Sequence, residues 1–206
     1  MTIAFEVDPA VAGIVQPGWF VAPDVRLTGR GERLDAPLHA AAAAMRAAPE
    51  PADVIAAVRT MYKRLGVDPT KTRPSSEALL RRVRTGGELP RINALVDVIN
   101  WCSLETQLPF GLYDAGRIRG AVRLRLGQRG EEYAGIRKDV VHLEGRLTLA
   151  DEEGPFGNPT SDSARTMVTP ATTSALVVIF APAPLPPAAV ERAVARTGER
   201  IATYCA

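Results

Sequence analysis

Residues 92–126, INALVDVINWCSLETQLPFGLYDAGRIRGAVRLRL, change their hydrophobic period halfway, and that change decides the fold class. Up to residue 104 the apolar side chains Leu95, Val96, Ile99 and Cys102 recur at three- and four-residue intervals. This predicts a helix over 92–104 with that stripe buried. Pro109 ends the pattern. Over 121–126, Val122, Leu124 and Leu126 alternate with Arg123 and Arg125, which predicts a half-buried strand with an arginine face. A helical block followed by a period-two block implies an α+β fold, a mixed or antiparallel sheet flanked by helices.

The flanks extend this reading in both directions. Over 51–65, Val54, Ile55, Val58, Met61, Tyr62 and Leu65 keep the helical period, with Pro51 suited to the first turn and Gly66 to the stop. Asp68-Pro69 makes a turn. Ser75 or Ser76 can cap a second helix whose apolar face is Leu79, Leu80 and Val83, leaving Arg81, Arg82 and Arg84 elsewhere and ending at Gly86-Gly87. Residues 35–48 are alanine-rich and helical until Pro49. Residues 2–7 and 13–21 read as strands, and Gly29-Arg30-Gly31 as a turn. Downstream, 140–143 and 146–150 are strand candidates around Gly145, 151–165 is a polar loop, 175–181 is a continuous apolar run fit for a central strand, and 186–201 is a closing helix. No repeat and no long linker interrupts the chain. It is expected to be one domain over 1–206, with 1–50 as a strand and helix portion of the same unit.

A chain of 206 residues with 46% hydrophobic and 23% charged residues can bury a full core without metal or disulfide. Cys102 and Cys205 are expected to stay reduced. The start, MTIAFEVDPAVAGIV, lacks the basic-then-apolar form of a signal peptide, and the apolar stretch 175–190 holds Pro182, Pro184, Pro186 and Pro187 and cannot span a membrane. A cytoplasmic location is expected. The net charge of +2 is uneven: residues 59–84 hold eight basic and two acidic side chains, and residues 117–138 hold seven and two. Two basic blocks in an otherwise acidic chain read either as a polyanion-facing surface or as ordinary solvated faces.

Most catalytic motifs are missing. His39 and His142 are the only histidines, and no spacing resembles a zinc site, so no metal is expected. There is no phosphate-binding loop, no dinucleotide fingerprint and no nucleophile elbow, and Ser163 has no histidine partner in sequence. No cofactor is expected. The segment NPTSDSARTMVT, residues 158–169, concentrates Ser161, Asp162, Ser163, Arg165, Thr166 and Thr169 just before the apolar strand. Such short polar groups can hold a water and a small ligand, or they can simply close a turn on themselves.

Three segments carry a resemblance. They are GVDPTKTRPSSEALLRRV (66–83), residues 92–125 with Val96, Asp97, Asn100, Pro109, Tyr113 and Asp114 in order, and SDSARTMVTPATTSALVVIF (161–180). In order and spacing, the stretch 62–180 resembles the B3/B4 editing domain of the phenylalanyl-tRNA synthetase beta subunit, here free-standing. The resemblance implies hydrolysis of the ester joining a wrong amino acid to tRNA. In that family, polar groups and backbone amides position a water without a dedicated triad, chemistry suited to an already activated ester. Carried over, Asn100, Asp162, Ser163 and Thr166 are the expected catalytic residues, and Gly111, Tyr113 and Arg165 the expected substrate contacts. Arg81, Arg82, Arg123 and Arg125 are the expected RNA contacts. Gly111 departs from the pattern, since the synthetases carry a substrate-holding histidine there.

The expected partner is tRNA or aminoacyl-tRNA, and the expected function is trans-editing of mischarged tRNA. Two alternatives stand beside it: a non-catalytic tRNA- or RNA-binding module, and a domain that binds or hydrolyses a small amino-acid-like molecule.

Overall fold

The computed structural model describes residues 3–27, 32–136 and 140–205. In chain order the elements are β1 (Phe5–Val7), α1 (Pro9–Ala12), β2 (Val15–Ala22), α2 (Asp35–Ala47), α3 (Ala52–Arg64), α4 (Ser75–Arg84), α5 (Ala94–Thr106) and β3 (Phe110–Asp114). There follow β4 (Val122–Leu126), β5 (Glu132–Ala134), β6 (Val140–His142), β7 (Leu147–Asp151), β8 (Gly154–Asn158), β9 (Ser161–Asp162), β10 (Ala175–Pro182) and α6 (Pro187–Tyr204). The strands make a five-stranded sheet in the order β1-β4-β7-β8-β9, a three-stranded sheet β2-β10-β3 and the hairpin β5-β6. The β1–β4 pair is parallel and the other pairs are antiparallel, so the fold is α+β with a mixed sheet.

Strand β10 is the apolar run 175–181 extended by one residue, and all eight of its residues are buried. It sits between β2 and β3, which satisfies its backbone groups on both sides. Its two faces feed two cores. Leu176, Val178 and Phe180 join Tyr62 and Met61 of α3 and Leu124, Leu149 and Phe156 of the five-stranded sheet. Ala175 and Val177 join Leu38 of α2, Leu80 and Val83 of α4, and Leu95 and Val98 of α5. Helix α6 reaches both, through Val190 and Ala193 in the first and Ile201 in the second. Each large side chain so buried stabilises by roughly 1.5–3 kcal/mol.

The helix expectations are met with shifted ends. Helix α5 begins at Ala94, because the Asn93 side chain accepts from the Val96 N–H at 3.0 Å and so acts as the N-cap. Its buried stripe is Leu95, Val98, Ile99 and Cys102, while Val96 is half-buried. Helix α4 has Pro74 at its N-cap and no side-chain cap, so neither Ser75 nor Ser76 plays that part; Ser76 is buried instead. Pro51 likewise stands at the N-cap of α3 rather than in its first turn.

The largest departure is at 151–165, expected as a loop, where β8 and β9 form. Their residues, GPFGN and SD, carry no alternating pattern. They become strands because β8 pairs with β7, across a register shift at Leu149/Ala150, and β9 in turn pairs with β8. Strands β3 and β5 and the short α1 also went unseen. Leu126, expected inside, is exposed at the end of β4. Thr2, Gly29-Arg30-Gly31, Arg137 and Lys138 lie outside the described residues. Cys102 and Cys205 are both buried and free. Burial raises both thiols, and with the added charge of Asp97, Cys205 is pushed up to about 12. Among the described residues no helix is long and apolar enough to cross a membrane.

Asp97 locks the entry to α5. It is fully buried, and its carboxylate accepts from the Ile92 N–H and from Arg91 Nε, each at 2.8 Å, while Arg91 also pairs with Asp35. Asp97→Ala leaves the Ile92 amide and the partly buried guanidinium without this acceptor. It is expected to lower unfolding stability by about 2–4 kcal/mol in urea denaturation, with Asp97→Asn losing less.

Candidate functional site

Gly111 and Tyr113 lie two apart on β3, so their side-chain directions coincide. The Tyr113 phenol folds back over Gly111: a Cβ there would stand 2.7 Å from Tyr113 Cε2 and Cζ. A Cβ on Gly157 of β8 would also overlap the same ring. The phenol is therefore wedged between two glycine backbones, one from each sheet. It makes a T-shaped contact with the Phe156 ring, with centroids 5.0 Å apart and planes at 81°. The position where the resemblance places a histidine is thus filled by Tyr113.

Gly157 pairs with Asp162 across the β8–β9 hairpin, which brings the Tyr113 hydroxyl beside the Asp162 carboxylate. Complete burial, then the charge of Asp162, push the Tyr113 phenol well above its ordinary value. Tyr133 is raised by burial and by the same carboxylate, and its hydroxyl donates to the Ser161 carbonyl. Tyr62, raised by burial, donates to the Pro159 carbonyl at 3.1 Å. Three buried phenols so fasten residues 159–162.

The turn itself is built by Asn158. Its Oδ1 accepts from Thr160 N at 2.8 Å, Thr160 Oγ1 at 2.7 Å and Ser161 N at 2.8 Å. These three donors settle the orientation of the amide, so Nδ2 points the other way. Asn158 is only 3% exposed, and its Nδ2 is buried without a protein partner. An unmet buried donor costs about 1–3 kcal/mol. Asn158, Ser161 and Asp162 wall a cavity of about 260 Å³ together with Phe110, Ile136 and Ser75.

The expected site residues divide. Asp162 stands at this cavity. Ser163 is buried, with its hydroxyl accepting from the Arg165 N–H at 3.0 Å. Thr166 is wholly buried and its hydroxyl donates to the Phe156 carbonyl at 3.4 Å. Arg165 turns to Asp151 at 2.8 Å and Glu153 at 3.0 Å, and stacks over Phe156. Asn100 is half-buried on α5 and is not among the residues walling the cavity. Arg81 and Arg82 are exposed on α4, with Arg82 Nε donating to the Glu88 carbonyl at 2.6 Å. Arg123 pairs with Glu6 at 2.9 Å, and Arg125 holds Glu131 through two bonds of 2.7 Å. Within the first basic block, Arg59 and Arg73 share Glu77, and Arg84 faces Glu50. Local carboxylates thus absorb much of the charge that composition alone assigns to a polyanion. Asn158, Phe110, Ile136 and Ser75 were missed as wall residues. Only Asn158 left a signal, as the Asn-Pro pair that marks a turn.

Residues 57–206 match the B3/4 domain family, and the chain belongs to it. Curated relatives include phenylalanine–tRNA ligase beta subunits. That of Paramagnetospirillum magneticum is 38% identical over 65 residues, which is 31% of this chain and 8% of that subunit. That of Bartonella henselae is 36% identical over 81 residues, 39% of this chain and 10% of that subunit. The matched part is thus about a tenth of those relatives' length. An N-terminal fragment of the phenylalanyl-tRNA synthetase beta-subunit from Pyrococcus horikoshii superposes with a TM-score of 0.53 at 13% identity, covering 99% of this chain and 49% of that fragment. That likeness establishes the fold.

Two measurements check the wedge. Gly157→Ala and Gly111→Ala are each expected to cost about 1–3 kcal/mol through overpacking against Tyr113, read by thermal or urea unfolding. The phenols also give a pH signature. Tyr62, Tyr113 and Tyr133 keep their protons in the folded state at pH values where the unfolded chain, with phenols near their ordinary value of 10.0, has released them. Stability is therefore unaffected by these groups below about pH 10 and falls as pH rises above it. Ultraviolet titration should show their ionisation only together with unfolding.

Proposed function

We propose that this domain deacylates mischarged aminoacyl-tRNA in trans. The observation that carries the reading is the cavity lined by Asp162, where a carboxylate stands with the apolar walls of Phe110 and Ile136 on a B3/4 fold. A carboxylate suits the ammonium of an esterified amino acid, and the apolar wall suits its side chain. In the hydrolysis, the oxygen of a water bonds to the acyl carbon, the ester C–O bond breaks, and the leaving ribose hydroxyl takes up the proton. The ester is already activated, so positioning the water and holding the developing oxyanion suffice. Asp162 is assigned to the catalytic pocket, and Asn100, which stands on α5 outside the cavity's walls, is assigned to catalysis through the family resemblance alone. Ser163 and Thr166 act by holding the loop, since their hydroxyls are committed to backbone groups. Arg81, Arg82 and Arg123 contact tRNA phosphates, being exposed. The protein acts in the cytoplasm, as one domain over 1–206.

A second reading is favoured by those same committed hydroxyls: a module that holds tRNA without cleaving it. The two separate in one experiment. Incubation with a panel of mischarged tRNAs is expected to release amino acid from at least one pair, with Asp162→Ala and Asn100→Ala each slowing release tenfold or more. Failure to deacylate any pair would sink the enzyme reading. The binding reading then predicts tRNA affinity that falls steeply with salt, and a salt slope that shrinks by about one unit on Arg81→Ala.

A further inference from the structure

A separate hollow of about 240 Å³ lies between α3, the end of α5 and the start of α6, and it shares no lining residue with the cavity at Asp162. Its floor is apolar. Leu108, just after α5, and Ala193 of α6 are buried in the first core, and Val54 of α3 and Leu185 pack against that core. Thr106 is the one uncharged polar side chain in the lining. Its hydroxyl donates to the Cys102 carbonyl at 2.7 Å and accepts from the Leu108 N–H at 3.3 Å, so it is already engaged. The charged lining residues are Arg192 and Arg196, one turn apart on α6 and on the face that carries Ala189 and Ala193. Arg200 continues this ladder one turn further. Glu105 holds Arg200 at 2.9 Å and also accepts from Trp101 Nε1 at 2.7 Å. Arg196 reaches the same carboxylate at 3.4 Å while its side chain stays 62% exposed. Arg192 has no carboxylate within ion-pair distance among the described residues. One carboxylate thus answers two of the ladder's guanidiniums, and unneutralised positive charge stands over the hollow. Like charges four apart also disfavour a helix, so an anion between Arg192 and Arg196 relieves a repulsion as well as gaining an attraction.

We propose that this hollow is a binding site for a small organic carboxylate with an apolar body. The carboxylate accepts from Arg192 and Arg196, whose planar forks match its two oxygens. The aliphatic or aryl part lies on Val54, Leu108, Leu185 and Ala193, where it leaves water without stranding a polar group. Size selects a compact molecule over a protein segment. A stable protein interface engages about 20–30 residues a side, whereas eight line this hollow. The lining also selects against a nucleotide. It holds no aromatic ring for a base to stack on, and its only hydroxyl is engaged, while base recognition uses stacking and edge hydrogen bonds. The site borrows neither its ligand nor its residues from the deacylase reading and stands without it.

The probes are isovalerate, hexanoate, benzoate and phenylacetate, titrated calorimetrically against the full chain. Their amides remove the charge and keep the body. Acetate and inorganic phosphate keep the charge and remove the body. At least one of the four acids is expected to bind, about tenfold or more tighter than its amide and than acetate or phosphate. Arg192→Gln keeps a good helix former and removes the charge, and it is expected to weaken that acid about tenfold or more. Arg196→Gln is expected to weaken it less, about threefold or more, since Glu105 already draws on that guanidinium. Ala189→Leu places an isobutyl group in the hollow at a half-buried helix position and is expected to abolish binding. Circular dichroism checks that each variant is folded, and the two arginines, being exposed, can be replaced without opening the core. The proposal is overturned if no acid binds, if amide or phosphate binds as tightly as the acid, or if folded Arg192→Gln or Ala189→Leu keeps wild-type affinity. Adenosine monophosphate binding more tightly than every acid also overturns it, in favour of a nucleotide site.

Discussion

The double burial of β10 is the constraint on which the remaining structure depends. Eight residues without one charge cannot face water on either side, so both faces must be covered and both edges paired. Strands β2 and β3 supply the edges. The five-stranded sheet and α3 cover one face, and α2, α4 and α5 cover the other. The molecule therefore has two cores that share one strand. Substitution in β10 acts on both at once, whereas a change in α2 or β7 acts on one.

The candidate site lies where these two systems meet. Strand β3 belongs to the central sheet, and β8 and β9 belong to the other. Tyr113 joins them because Gly111 and Gly157 leave room for a ring where any Cβ would collide. That ring, with Tyr133 and Tyr62, holds residues 159–162 against the core by bonds to two carbonyls and contact with one carboxylate. A short polar loop on its own would sample many conformations. Here it is fastened by buried phenols, and Asn158 holds its own turn while carrying an unmet donor.

Charge tells a more tempered story than composition. Arg59, Arg73, Arg84, Arg123 and Arg125 all have carboxylate partners nearby in space, several distant in sequence. The exposed pair Arg123–Glu6 contributes little to stability, about 0–1 kcal/mol. These pairs do reduce the field that a polyanion would meet. The arginines most open to solvent on α4, Arg81 and Arg82, are therefore less neutralised than Arg125, whose guanidinium is held by Glu131.

The sequence by itself determined the fold class, the longer helices and the central strand. Helical and alternating periods are local properties, and the 92–104 and 121–126 stretches state them openly, as does the unbroken apolar run before Pro182. It also marked the loop 158–169 as chemically unusual and named Asp162 within it. The tertiary structure alone decided which of those polar groups face a cavity. Ser163, Thr166 and Arg165 are as polar as Asp162, yet they turn to backbone carbonyls, amides and buried carboxylates. Strands β8 and β9 were not legible because GPFGN and SD have no period of their own: β8 becomes a strand by pairing with β7, and β9 by pairing with β8. Nor was the wedge at Gly111, because it needs a glycine 46 residues further along the chain, at Gly157, to face the same ring. Contacts of that separation are set by how sheets stack, and no local pattern records them.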